Sequence, residues 1–483
     1  MREMTLPKQE VDKPGVPWGV IAPLLAAAFV VILNETTMAV ALPALMHDLD
    51  ISAQTAQWVS TGFMLAMAVV IPTTGFLMHR FTTRQIYALA MGLFSFGTVL
   101  AIIAPGFGPL LVARVVQGSG TAIMMPLLMT TIMMLVPVAR RGQIMGFTSI
   151  VIAMAPALGP TVSGVILRFG GWRWIFGVML PIALLVLVIG LWRLRNVGER
   201  RDQKLDVISI VLSGLGFGGL VFALNQVGSP EGVRTLIASL AVGAVSLALF
   251  VVRQLRLQRI DAPFLDLRTF AHRNFSVGIG ILTVGFLSLM GVALVYPIYL
   301  QDVRGLDTMT TGLLLLPGGF AMGLLGPVIG RLYDRWGARV LVVPAAAVMT
   351  LMVFSLTWVT SMSTPLWVLL AVHVVLSLAL SFMFTPTFTA SLNDLEPKLY
   401  ADGSALLGTL QQVGGAAGAA LLITVMAQRA AAETAAGMAP VAALLEGTHA
   451  TFTLAGFIAV TAVVLGFLLK PTKAPDPMEV EIH

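Results

Sequence analysis

Two ionisable residues stand inside long apolar stretches, and they are the first candidates for chemistry. Glu35 interrupts "LNETTMAVALP" (33–43) within a run, Trp18 to Leu45, that otherwise carries no charge. Arg114 interrupts a second apolar run. A charged side chain at the centre of a bilayer costs roughly 2.5–3.5 kcal/mol on insertion scales. Such a residue usually has a task, such as binding or proton transfer. The structural alternatives are a fixed Glu35–Arg114 ion pair that only fastens two spans together, or a carboxylate that simply faces a wet cavity.

The composition places the whole chain in a membrane. Of its 483 residues, 57% are hydrophobic and only 11% are charged, and the mean hydropathy is +0.92. A soluble protein carries about 25% charged residues. Apolar runs long enough to span a bilayer, about 20 residues each, recur throughout. The sequence therefore predicts an all-α polytopic membrane protein. Because cysteine is absent, a disulfide framework and a thiolate site are excluded.

Hydropathy predicts 14 spans, and the basic residues predict their orientation. Most of the 29 Lys and Arg lie in loops on the side of the two termini. The positive-inside rule therefore places both termini in the cytoplasm. The net charge of +6 is an orientation signal and does not indicate nucleic-acid binding. The predicted spans are 18–46, 54–79, 85–104, 108–134, 142–167, 172–192, 206–228, 233–253, 274–300, 308–332, 339–359, 364–392, 403–427 and 449–470.

An internal repeat divides the chain. "GFLMHRFTTR" begins at Gly75 and "GRLYDRWGAR" begins at Gly330, and both fit G-x-L-x-[HD]-R-x-x-x-R on a short turn between two spans. Parallel repeats of six spans are typical of the major facilitator superfamily. The predicted divisions are a cytoplasmic tail (1–17), a six-helix bundle (18–192), a linker with two additional spans (193–272), a second six-helix bundle (273–470) and a second cytoplasmic tail (471–483).

Further stretches match that superfamily in order. They are "LNETTMAVALP" in the first span, "ARVVQGSGTA" (113–122) in the fourth, "APALGPTVSG" (155–164) in the fifth, "WRWIF" (172–176) opening the sixth, and "YLQDVRGLDTMTTGLLLLP" (299–317) and "QQVGGAAGAA" (411–420) in the second half. The sequence resembles the fourteen-span drug:proton antiporter family, which includes multidrug and lincomycin-type resistance exporters. The resemblance implies a major facilitator fold of two six-helix bundles with an inserted two-helix hairpin.

The resemblance also implies an activity and a location. A member of this family exports lipophilic, often cationic drugs from the cytoplasm by alternating access, driven by a proton gradient and without any cofactor or bound metal. It is not an enzyme. It is expected in the bacterial cytoplasmic membrane as a monomer, and its partners are membrane lipids, small-molecule drugs and protons. A dedicated exporter of one metabolite, lipid or antibiotic on the same scaffold is the alternative.

Within that family, Glu35 and Arg114 are the expected proton-coupling residues. The plainer alternative for Arg114 is an arginine that satisfies backbone carbonyls at a helix break. The family's first-span signature usually has Asp directly after Leu, where this chain has Asn34. A shift of the acid by one residue turns its side chain about 100° around a helix. In the first loop motif, His79 replaces the usual Asp and Thr82 the usual Gly, whereas the second copy keeps both residues.

Three further sets of residues are candidates by resemblance, each with a plainer alternative. The loop motifs are expected to latch the cytoplasmic gate, or else only to set the topology: Gly75, Arg80, Arg84, Gly330, Asp334, Arg335 and Arg339. The fifth-span motif is expected to bend a helix and favour exchange, or else to allow close packing: Gly159, Pro160 and Gly164. The expected substrate pocket, which ordinary membrane-core packing would also explain, comprises Asn34, Gln57, Trp58, Met125, Tyr296, Tyr299 and Gln411.

Other classes of function are disfavoured. The chain contains no G-x-x-x-x-G-K-[ST] loop, so an ATPase within it is not expected. A channel or a transport-dead receptor would not need Glu35. The offset between the loop motifs carries Glu35 to Met290 and Arg114 to Leu369, both uncharged. We therefore expect charge chemistry in the first half and an apolar wall in the second, where His373 is expected to be a packing residue.

Overall fold

The computed structural model describes residues 16–197, 205–226 and 232–470, and this part of the chain is helical. It contains 14 helical segments long and apolar enough to cross a membrane, which confirms the predicted fold class. The helices are α1 (Trp18–Leu49), α2 (Ala53–Val70), α3 (Thr74–Arg80), α4 (Thr83–Ile103), α5 (Phe107–Leu135), α6 (Arg141–Phe169), α7 (Arg173–Arg193), α8 (Val207–Ser213), α9 (Gly219–Asn225), α10 (Gly232–Gln258), α11 (Arg273–Ile298), α12 (Thr308–Trp336), α13 (Ala338–Val359), α14 (Leu366–Asn393), α15 (Tyr400–Ala435) and α16 (Pro440–Leu468).

Two spans are built from pairs of short helices. A 3₁₀ turn, Ile71–Thr73, separates α2 from α3, and it contains Pro72, which lacks the N–H that an α-helix needs. A π-helical turn, Gly214–Gly218, separates α8 from α9. A second π-helical turn, Tyr299–Val303, extends α11 just after Pro297. The helical spans are therefore irregular where the sequence supplies proline or glycine.

The spans form two bundles and a hairpin. In the first half, α1 packs against α5, α6 and α7, and α4 packs between α5 and α7. In the second half, α11 packs against α14, α15 and α16, and α13 packs against α14 and α16. Glycines let the helix backbones approach closely. A Cβ atom on Gly120, for example, would collide with the backbone of Ala90.

Two seams join the halves. At the first, α6 and α12 pack with their backbones in direct contact, because Gly142 and Gly146 face Gly330 and Gly326. At the second, α15 packs against α2, α3 and α5. The inserted hairpin, made of α8, α9 and α10, lies beside this second seam, since α9 contacts both α2 and α15.

A polar network fixes the hairpin to the loop that follows it. Arg253 donates two hydrogen bonds, each 2.8 Å long, to the two carboxylate oxygens of Asp206. Gln254, which is fully buried, donates to Ser209 Oγ and accepts from the backbone N–H groups of Phe264 and Leu265. These bonds satisfy backbone groups that would otherwise be stranded in apolar surroundings.

The last loop is shorter than predicted. The expected spans 403–427 and 449–470 leave about 20 residues between them, whereas only Ala436 to Ala439 separate α15 from α16. The alanine-rich segment after Met426 favours helix, and Arg429 pairs with Glu433 one turn further on. Gly437 adopts φ 92° and ends the helix. The two predicted tails, apart from Val16 and Pro17, lie outside the described residues.

Candidate functional site

Asn34 and Glu35 lie in the middle of α1 and have different surroundings. Asn34 is fully buried, and neither polar atom of its side-chain amide has a hydrogen-bond partner among the residues that the structure describes. The carboxylate of Glu35 is half-buried, and within the same residues it forms no hydrogen bond or ion pair. Polar side chains without hydrogen-bond partners are costly in a membrane span, so the Asn34 amide and the Glu35 carboxylate are available to bind a ligand.

Arg114 on α5 is almost fully buried and is held by its neighbours. Its Nη1 atom donates to Gln117 Oε1 at 2.8 Å, and its Nε atom donates to the carbonyl oxygen of Val59 at 3.4 Å. The guanidinium carbon lies 4.2 Å from the ring centroid of Phe63. Gln117 in turn donates to Thr98 on α4 at 2.7 Å. Arg114 is therefore a positive charge fastened to α2, to α4 and to its own helix.

The fixed Glu35–Arg114 ion pair, the structural alternative, is absent from the described part of the chain. The two side chains are close enough for their charges to interact but make no direct contact. The hydrogen bonds of Arg114 to Val59 and Gln117 explain this, because they hold the guanidinium against α2 and its own helix. The Glu35 carboxylate is therefore not held by Arg114, while the positive charge of Arg114 stays in place.

The two loop motifs contact the opposite half in different ways. In the second copy, Asp334 accepts hydrogen bonds from the backbone N–H groups of Gly142 (2.8 Å) and Gln143 (2.9 Å), at the N-terminus of α6. A carboxylate is favoured there because free N–H groups and the helix dipole both attract an anion. In the first copy, His79 Nε2 lies 2.9 Å from Asp402 Oδ2 in the first turn of α15.

The other predicted gate residues differ in their contacts. Gly75 packs directly against Asp402, and Gly330 packs against the backbone of Gly142. The backbone N–H of Arg84 donates to Asn196 Oδ1 at 3.4 Å. In the described ranges, the side chains of Arg335 and Arg339 make no ion pair or hydrogen bond. Arg80 interacts with another group in the structure, and its role in the gate stays a prediction.

Arg141 is a contact between the halves that the sequence analysis did not identify. From the start of α6 it donates to Asn393 Oδ1 (2.9 Å) and to the Tyr400 hydroxyl (3.1 Å), both in the second half. It also donates to the carbonyl oxygens of Met133 and Val136. A basic residue in a short loop reads only as an orientation signal, so nothing in the sequence distinguishes it from Arg140.

The fifth-span motif lies within a continuous helix. Pro156 and Pro160 are inside α6, which runs without interruption across them. A Cβ atom on Gly159 would collide with Thr36 on α1, whereas a Cβ atom on Gly164 would meet nothing within 4 Å. Gly159 therefore has a packing reason that Gly164 lacks. The role of the motif in exchange stays a prediction.

Among the described residues, the predicted pocket residues have different neighbours. Trp58 on α2 lies 5.9 Å from Phe222 of the hairpin, ring centroid to ring centroid, and Gln57 is exposed beside it. Tyr296 and Tyr299 are buried, and their hydroxyls donate to the carbonyl oxygens of Leu369 and Ser361. Met125 on α5 and Gln411 on α15 are half-buried.

Gln411 shares a face of α15 with residues that contact the first half. Gly408, one turn earlier, packs against Ile71, and Gln412 lies 3.6 Å from the sulfur of Met67. The Nε2 atom of Gln411 is buried without a hydrogen-bond partner in the part of the chain that the structure describes. Asn34 and Gln411 thus supply unsatisfied amides from the two halves.

The comparisons with known proteins assign this architecture to a family. The Major Facilitator Superfamily profile matches residues 24–419. The chain belongs to the major facilitator superfamily. It is a multi-pass membrane transporter and not an enzyme. Its fold is also that of a solved structure, the human organic anion transporter MFSD10 (TETRAN), with a TM-score of 0.68 over 94% of this chain and all of that one (100%), at 14% identity.

Two relatives within the superfamily are named for drug resistance or export. The chain is 38% identical over 463 residues to the lincomycin resistance protein LmrB of Listeria monocytogenes, covering 95% of this chain and 98% of the relative. It is 31% identical over 407 residues to the multidrug export protein EmrB of Haemophilus influenzae, covering 82% and 78%. These similarities confirm the family on which the sequence analysis relied.

Proposed function

We propose that this protein is a proton-coupled antiporter that exports lipophilic, often cationic small molecules from the cytoplasm. The carrying observation is Glu35, a half-buried carboxylate without a direct partner among the described residues, near the fixed charge of Arg114. The relatives LmrB and EmrB, named for lincomycin resistance and multidrug export, support the substrate class.

Exchange follows from the electrostatics of Glu35 and Arg114. Protonation removes the charge of Glu35, and an uncharged acid crosses apolar surroundings more cheaply than a carboxylate. When the proton leaves, the carboxylate is stabilised by Arg114 or by a cationic solute, since either supplies the opposite charge. A proton and a cation therefore compete for one group, and this competition couples export to the proton gradient.

Alternating access uses the contacts between the halves. The His79–Asp402 pair, the Asp334 contacts with α6 and the Arg141 hydrogen bonds all join the halves at the end that carries the loop motifs. That end is the cytoplasmic one by the positive-inside rule, so these contacts hold the cytoplasmic face closed. They break when the site opens to the cytoplasm. The protein acts as a monomer in the bacterial cytoplasmic membrane, with both termini inside and no cofactor.

Transport in inverted membrane vesicles tests this proposal. The vesicles are energised acid inside, and a fluorescent cation, rhodamine methyl ester, is added outside, which corresponds to the cytoplasmic side. Uptake is expected in vesicles that contain the protein, and collapse of the pH gradient with nigericin is expected to abolish it. Uptake that survives nigericin, or that equals the uptake of vesicles without the protein, would contradict the proposal.

A further inference from the structure

His373 is an ionisable residue in the second half, and only one of its ring nitrogens is used. Its Nε2 atom lies 3.1 Å from the carbonyl oxygen of Leu315 on α12. Because a carbonyl only accepts, Nε2 carries the hydrogen, and the neutral ring then presents Nδ1 as a bare acceptor. Nδ1 is buried and has no hydrogen-bond partner in ranges 16–197, 205–226 and 232–470. His373 therefore packs as the sequence predicted, but its Nδ1 atom remains an acceptor without a donor.

The surroundings of His373 are aromatic and closely packed. Its ring stacks on that of Tyr296 on α11, with centroids 5.8 Å apart and an interplanar angle of 20°. The Tyr296 hydroxyl donates to the carbonyl oxygen of Leu369, and the buried Tyr296 ring also stacks on that of Tyr299, with centroids 6.2 Å apart. On α12, Gly318 lies against the imidazole, and a Cβ atom there would collide with it.

The repeat places His373 one helical turn from the position that corresponds to Arg114. Leu369 is the repeat counterpart of Arg114, and His373 lies one helical turn further along α14. Both α11 and α12 pack on this helix. The second half is thus not only an apolar wall, because it offers one neutral acceptor beside an aromatic ring.

We propose that His373 Nδ1 accepts a hydrogen bond from an N–H or O–H group of the transported molecule. This inference rests on the proposed function and narrows its substrate class to amphipathic solutes that carry a donor. Glu35 then recognises charge, and His373 recognises the donor. A solute reaches Nδ1 when the helices part during alternating access.

Two substitutions test the roles of the two ring nitrogens one at a time. A glutamine amide reaches the position of Nε2, so His373→Gln keeps a donor to Leu315 and loses the acceptor. An asparagine amide reaches the position of Nδ1, so His373→Asn keeps an acceptor and loses the bond to Leu315. Two cationic dyes of similar shape test the role of the solute's hydrogen-bond donor, because only one of them has N–H groups. They are rhodamine methyl ester, whose free amino groups donate, and its fully N-methylated counterpart, which has no N–H.

Initial transport rates of both dyes are measured in the same inverted vesicles. We expect His373→Gln to slow the amino dye about fivefold, as loss of one neutral hydrogen bond predicts, and to leave the N-methylated dye within about twofold. We expect His373→Asn to move the amino dye faster than His373→Gln does.

Each other outcome overturns the inference. If His373→Gln slows both dyes equally, His373 is a packing residue. If it slows neither, Nδ1 does not contact the solute. If His373→Asn alone is impaired, only the Leu315 bond matters. If the wild-type protein transports neither dye, the proposed function fails and this inference falls with it, whereas transport with no difference between the dyes leaves the proposed function intact.

Discussion

His79 Nε2 lies 2.9 Å from Asp402 Oδ2, and this contact joins the first loop motif to the first turn of α15 in the other half. Both side chains are largely buried, at 11% and 4% exposure. The second motif places Asp334 against the backbone of α6 in the repeat-related position. One seam is therefore closed by an acid on a helix N-terminus and the other by a histidine and an acid.

Replacement of His79 by the acid usual in this family should open the second seam. In His79→Asp, two carboxyl groups face each other in a buried contact, so they repel each other and Asp402 loses its hydrogen bond with the histidine. The chain has no cysteine, so Thr130→Cys, which replaces a buried residue at the same interface, reports opening without background. Maleimide labelling from the cytoplasmic face should rise at least about tenfold.

The exchanged pair is the matched control. His79→Asp combined with Asp402→His again places a histidine against an aspartate, and labelling of Thr130→Cys should return toward the wild-type rate. If the single and double variants label alike, the pair does not hold the cytoplasmic face closed.

Gly159 and Gly164 should differ although they belong to one motif. Gly159→Ala forces a Cβ atom onto Thr36, and overpacking of this kind costs about 1–3 kcal/mol. Gly164→Ala meets open space and serves as the control. Thermal unfolding of the purified protein in detergent should show a lower midpoint for Gly159→Ala only. Equal midpoints would mean that α1 and α6 adjust freely at this contact.

Arg114 should not be replaceable by lysine. Arg114→Lys keeps the charge but loses the planar group that bonds to Gln117 and Val59 and covers Phe63. We expect dye transport to fall about tenfold or more, with normal amounts of protein in the membrane by immunoblot. Wild-type rates in Arg114→Lys would show that the charge alone suffices and that its fixed position is unimportant.

Asp48 should stabilise the protein in a pH-dependent way. The hydrogen bond from Trp172, followed by that from Arg173, holds the pKa of Asp48 below its usual value. Because the folded pKa lies below the unfolded one, the stabilisation is present above about pH 4 and is lost as the pH falls through the folded pKa.

Asp48→Asn should therefore lower the unfolding midpoint at pH 7 by no more than about 2 °C, since solvent screens the exposed side chains of Asp48 and Arg173. The difference from the wild type should shrink on acidification below about pH 4. A difference that is constant with pH would mean that the carboxylate charge has no part in it.

The sequence was sufficient for the architecture because bilayer thickness fixes span length and hydropathy reports it directly. It also marked Glu35 and Arg114 as candidates, since an ionisable residue in an apolar run stands out by its cost. The loop motifs were visible through their repeat. Each of these features is local in the chain or repeats within it.

The sequence was not sufficient for contacts between distant segments. Nothing near Asp402 indicates that it meets His79, and Arg141 resembles any loop arginine until α14 and α15 are placed beside it. The direction of a side chain around its helix was equally hidden. Trp58 was expected in a pocket, and the structure places its ring beside that of Phe222 in the hairpin, whose position the sequence does not specify.

The central claim is that Glu35 exchanges a proton for the transported molecule. The most direct test is substrate-evoked proton release, followed with a pH-sensitive dye inside acid-loaded inverted vesicles, for the wild type, Glu35→Gln and the control Glu35→Asp. We predict that rhodamine methyl ester evokes proton release in the wild type and none in Glu35→Gln, with partial release in Glu35→Asp. Undiminished release in Glu35→Gln would contradict the account, because the coupling proton would then be carried by another group.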